Sequence, residues 1–78
     1  MKELYLIIYL LGKAAVGFGP LTYGMDECWK RSEVMKETIY KDFEEGTSPF
    51  QDFANKKEDI TTSCTELTPD EFLKLKQN

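Results

Sequence analysis

The stretch that decides the fold is Leu4-Tyr5-Leu6-Ile7-Ile8-Tyr9-Leu10-Leu11, eight consecutive apolar residues in a chain of 78. No second run of that length occurs. A membrane span needs about 20 apolar residues, whereas Gly12-Lys13 ends this run and Gly17, Gly19 and Pro20 follow soon after. No span is expected. A cleaved signal peptide would use Lys2 as its basic start, residues 4–11 as its apolar core and Ala15-Val16-Gly17 as its small-residue cleavage site. Glu3 cancels Lys2, however, and Lys13 puts charge where a cleavage region should be neutral. We read the run as a permanent buried strand over residues 3–11. Export, with the first 17 residues removed, is the alternative.

Side chains alternate along a strand. Leu4, Leu6, Ile8 and Leu10 therefore form a wholly aliphatic face, and Tyr5, Ile7, Tyr9 and Leu11 the opposite one. The two hydroxyls of that second face need water or a polar partner. A strand apolar on both faces is normally covered on both, and so short a chain has few elements to do this. A homodimer is expected on that ground. Its interface would be the edge of this strand or the face of Tyr5, Ile7, Tyr9 and Leu11.

The length fits a single domain, residues 1–78, near the size at which one core supplies only about 3–5 kcal/mol. Charge is uneven: residues 1–23 carry Lys2 and Lys13 against Glu3, and the remainder carries eight Lys/Arg against thirteen Asp/Glu. An acidic surface with scattered cations does not suit nucleic acid, which rewards clustered Lys and Arg.

Gly12-Lys13 reads as a turn leading into a second, weaker strand over Ala14–Phe18, which pairs back as a hairpin. Gly17, Gly19, Pro20 and Gly24 mark a loop; no third glycine completes a dinucleotide fingerprint, and no Gly-Lys-Ser/Thr follows. A long helix is expected over about 25–44. Thr22 or Asp26 would cap it, Cys28, Ser32, Met35, Ile39 and Phe43 would form its inward stripe, and Trp29 and Tyr40 would flank that stripe. Gly46 is its stop. Ser48-Pro49-Phe50-Gln51 predicts a short helix over about 49–56, with Phe50, Phe53 and Ala54 plugging the core. Ile60–Leu67 alternates and is rich in β-branched residues, so it reads as a strand beside the first. Thr68-Pro69-Asp70-Glu71 starts a terminal helix over about 69–76.

Chemistry is sparse. The chain has no histidine, which removes Ser-His and Cys-His pairs and most zinc sites. No catalytic residue, cofactor site or metal site is assigned. Asp42, Glu44 and Glu45 do not converge as paired acids, and their spacing to Gly46 does not match a calcium loop. A reactive thiol at Cys28 is disfavoured by Asp26 and Glu27 beside it. Cys28 at the helix start and Cys64 in mid-strand can be bridged if the helix packs on the sheet. Two buried reduced thiols are the other reading. A pocket lined by Tyr23, Trp29 and Tyr40 is the one candidate ligand site.

The segment Thr22-Tyr23-Gly24-Met25-Asp26-Glu27-Cys28, followed by Lys30-Arg31 and a later strand cysteine at Cys64, resembles the short uncharacterised proteins of marine bacteriophage genomes. The likeness spans about residues 4–66, and the extension from Thr68 lies outside it. It implies a phage origin and a helix–strand cysteine pairing, and no activity.

The expected fold is α+β: two or three strands led by residues 3–11, one long helix over the sheet and two short helices. The expected function is that of a small non-enzymatic accessory or interaction protein, homodimeric and cytoplasmic. The alternatives are an exported disulfide-bonded protein and a small ligand-binding protein or enzyme with its pocket near Trp29.

Overall fold

A computed structural model describes residues 1–76. Its centre is the strand β1, Glu3–Leu10, flanked by β2, Lys13–Phe18, and β3, Ile60–Leu67, in the order β2-β1-β3 with both pairings antiparallel. β1 therefore has hydrogen-bonded strands on both sides and no free edge with which to meet another chain, while Leu11, the last of the apolar run, falls in the turn. Tyr5, Leu6, Ile7 and Ile8 are all buried, at 1–4% exposure. This is how a run without polar relief avoids water.

The β1–β3 register runs unbroken from Glu3 opposite Leu67 to Leu10 opposite Ile60. It places Leu6 beside Cys64 on one face and Ile7 beside Ser63 on the other. The β1–β2 hairpin turns at Leu11-Gly12, both with positive φ (53° and 82°), and Lys13 already pairs with Leu10. The expected Gly12-Lys13 turn is thus displaced by one residue. A two-residue hairpin loop matches strand twist when both its residues are left-handed, and Leu11 is drawn into that role. A bulge follows where the register shifts between Ile8 and Tyr9, leaving Ala15 out of the ladder.

The helix α1, Met25–Glu45, lies on the aliphatic face. Its N-cap is Gly24, with no side-chain cap, in place of Thr22 or Asp26. Cys28 and Ser32 are fully buried, and Met35, Ile39, Tyr40 and Phe43 pack half-buried against Leu6, Ile8, Ile60 and Cys64. Gly46 adopts φ 78° and closes the helix: its N–H donates to the Phe43 carbonyl and the Thr47 N–H to the Asp42 carbonyl. That pair of bonds satisfies carbonyls the helix end would otherwise leave open.

No helix forms over 49–56. Residues 49–53 make a turn in which the Ser48 hydroxyl accepts the Phe50 N–H and the Phe50 carbonyl accepts the N–H groups of Phe53 and Ala54. Phe50 and Ala54 touch the core, but Phe53 is 66% exposed, so the expected plug is only partly made. The segment is too short to repay helix nucleation, and Asp59 captures the N–H groups of Asn55 and Lys56. A 3₁₀ turn at Lys57–Asp59 then leads into β3.

The helix α2, Pro69–Lys76, starts at a reciprocal cap: the Thr68 N–H donates to Glu71 Oε1 at 2.9 Å and the Glu71 N–H to Thr68 Oγ1 at 3.2 Å. It lies against the tyrosine face, where Phe72 stacks on Tyr5. Gly17 and Gly19 are small for this reason. A Cβ on Gly17 would overlap the Phe72 ring, and one on Gly19 the Tyr5 ring. Both faces of β1 are therefore covered within one chain, with helix, sheet and helix as three layers.

Candidate interaction surface

The residues singled out from the sequence are scattered by the fold. Tyr5 and Ile7 are buried beneath α2, Tyr9 is half-buried, and Leu11 is exposed in the hairpin turn. The tyrosine face is thus no open surface while α2 is docked. The three aromatics of the expected pocket also stay apart. Tyr23 lies ahead of α1 with the Arg31 guanidinium 4.4 Å above its ring. Trp29 is 43% exposed. Tyr40, about 16 Å further along the helix at 1.5 Å per residue, donates its hydroxyl to the Ile60 carbonyl at 3.2 Å and lies under the Lys57 ammonium at 5.7 Å.

Shallow depressions mark the surface of the described residues. One of about 300 Å³ lies between Tyr23, Lys2, Glu3 and Glu66. Another of about 220 Å³ is bordered by Glu27, Arg31 and Val34. The third, about 340 Å³, lies beside the last turn of α2 between Tyr9, Ala14, Lys13 and Leu75. The first two bring together charged side chains of both signs, and the third has Lys13 as its one charge. Among the described residues no cluster of His, Cys, Asp or Glu is arranged to hold a metal, and no helix is long and apolar enough to cross a membrane.

The strongest cross-links converge on β3. Cys28 and Cys64 are bridged, Sγ to Sγ 2.07 Å, tying the first turn of α1 to the strand. One turn further along, the Ser32 and Thr62 hydroxyls share a hydrogen bond of 2.6 Å. The pair is forced by geometry: Ser32 follows Cys28 by one helical turn, and Thr62 precedes Cys64 by one strand repeat. Tyr40 adds its bond to Ile60. At the far end, the exposed Lys57 ammonium meets Glu44, first by hydrogen bond and then by charge, and its pKa is raised above the ordinary lysine value.

β3 is thus held by β1 on one side and by α1 above, and it runs into α2 at Thr68. Its outer edge meets no strand among the described residues. The two margins of the sheet are built differently. β2 is six residues long, begins with Lys13, carries the bulge at Ala15 and contains Gly17. A short strand, an edge lysine and a bulge are the ordinary means of blunting an edge. β3 has eight residues, no proline, glycine or lysine, no bulge, and Glu66 as its single charge. From sequence the interface was expected on β1; the signal that marks β3 was present in Thr61, Thr62 and Thr65 but had no meaning until strand order was known.

No protein-family model, curated protein or solved structure matches this chain.

Proposed function

We propose that this protein is a small non-catalytic interaction module that works as a homodimer. One observation carries the reading: beyond Ile60, whose carbonyl Tyr40 caps, the outer edge of β3 meets no strand among the described residues and lacks the lysine, bulge and glycine that blunt the other margin. An exposed edge presents a row of backbone donors and acceptors and is a ready template for another strand. The disulfide and the Ser32–Thr62 bond hold that edge rigid from behind, which lowers the ordering cost of association. Phage origin belongs to the same proposal, and phage genes flanking the coding sequence would support it.

Sedimentation equilibrium from low to high micromolar concentration tests the dimer. A reversible monomer–dimer isotherm is the expected result, and a monomer throughout refutes the reading. Intact mass of the protein from its native host is a second test. A product starting at Phe18 would lack β1, and with it the sheet on which the reading stands.

A further inference from the structure

Resting on the dimer reading above, we propose that β3 pairs antiparallel with β3 of a second copy, about a two-fold axis at Ser63, to form one continuous six-stranded sheet. The asymmetry of the two margins points to β3: β2 carries a lysine, a bulge and a glycine, and β3 carries none of them. An isologous contact requires one surface to complement itself. About Ser63, Thr61 of one copy lies opposite Thr65 of the other, twice over, and Thr62 lies opposite Cys64. Cross-strand Thr pairs are favourable neighbours.

Charge selects the direction. A parallel pairing would set Glu66 beside its own copy, with Asp70 and Glu71 following in the same sense. The antiparallel pairing sends these acidic ends to opposite ends of the seam. It also brings the Lys56-Lys57 end of one strand alongside the Asp70-Glu71 end of the other. A two-fold axis normal to the sheet preserves its faces, so both α1 helices lie on one side and both α2 helices on the other.

The register makes the test specific. Thr61→Lys/Thr65→Lys sets lysine opposite lysine at two places, whereas Thr61→Lys/Thr65→Glu sets lysine opposite glutamate at the same two. Within one strand the two positions are four residues apart, too far for the new charges to pair with each other. Sedimentation velocity at low salt reads the dimer dissociation constant, and thermal unfolding by circular dichroism verifies that both variants fold. The Lys/Lys variant is expected to dissociate at least tenfold more readily than the parent chain, and the Lys/Glu variant to dimerise as well as the parent or better. A Ser63→Cys variant should in addition form an intermolecular disulfide under mild oxidation, and an Ala15→Cys variant on β2 should not. Dimers unaffected by either double variant, or cross-linked by the Ala15→Cys substitution alone, would overturn the β3 seam while leaving the dimer intact. A parent chain that is monomeric throughout would remove both.

Discussion

The Phe72 ring lies flat on that of Tyr5, centroids 4.0 Å apart and planes 13° from parallel. It fits there because Gly17, in the neighbouring strand, has no Cβ to collide with it. An eight-residue helix has little intrinsic stability, so α2 depends on side-chain docking of this kind to stay folded. Phe72→Ala should cost about 2–3 kcal/mol, less than a fully enclosed phenylalanine because this one is half-buried. Gly17→Ala should cost about 1–3 kcal/mol by overpacking. Urea unfolding measures both, and hydrogen exchange should show α2 amides losing protection in each variant while α1 amides keep theirs.

The Cys28–Cys64 bridge closes a loop with a sequence separation of 36. By the chain-entropy relation this restricts the unfolded state by about 4 kcal/mol, most of what a domain this small has to spare. Cys28→Ala/Cys64→Ala should therefore unfold at markedly lower urea concentration. Both cysteines are buried, so reduction of the native protein by a dithiol should track global unfolding. Rapid thiol release from a fully folded sample would contradict this.

Leu11 occupies a left-handed backbone conformation that costs a β-carbon-bearing residue about 1–2 kcal/mol. It is also 61% exposed, so it gains little from burial in return. Leu11→Asn, giving Asn-Gly in a loop of two left-handed residues, should raise stability by about 1 kcal/mol. An unchanged or lowered unfolding midpoint would mean that Leu11 makes contacts worth as much as its strain.

Ser32 is 1% exposed and shares its hydroxyl bond with Thr62. Ser32→Ala should cost about 1–2 kcal/mol, because Thr62 is left without its partner beneath α1. Adding Thr62→Val should cost less than the sum of the two single changes. A double-mutant cycle gives the coupling, and strict additivity would show that the hydroxyls do not depend on each other.

Two exposed groups give the stability a pH dependence of opposite sign. Glu71 accepts the Thr68 backbone N–H, and with the Thr68 hydroxyl this holds its carboxyl below the usual glutamate range. Its stabilisation is complete above the unfolded value and is lost as pH falls through the lower folded value. Lys57 is shifted upward by Glu44, so its contribution is complete below the unfolded lysine value and is lost as pH rises through the folded one. Acid should loosen α2 first, and Glu71→Gln should remove that limb of the α2 exchange profile. Lys57→Gln should flatten the alkaline limb.

Local chemistry determined much of this chain by itself. The run Leu4–Leu10 demanded an interior, because no arrangement leaves so many adjacent apolar side chains in water at low cost, while Leu11 at its end was given up to the turn. The spacing of Cys28, Ser32, Met35, Ile39 and Phe43 determined the inward stripe of α1, Gly46 its end, and Thr68 with Glu71 the start of α2. These signals act over one or two turns, so they can be read without knowing the fold. The turn at Leu11-Gly12 lay beyond them, since the hairpin's pairing overrides the preference of a leucine. The missing helix at 49–56 is of the same kind: a valid start signal, Ser48-Pro49, had too little downstream to propagate.

What only the tertiary structure decided is where β1 stands and what covers it. Strand order made the first strand central and left β3 at the margin, and this moved the candidate interface from Tyr5 and Ile7 to Thr61, Ser63 and Thr65. Packing of Phe72 into the space beside Gly17 gave the second face its cover. Both depend on contacts between residues far apart in the chain, and burial is a property of such contacts and not of the residue that is buried.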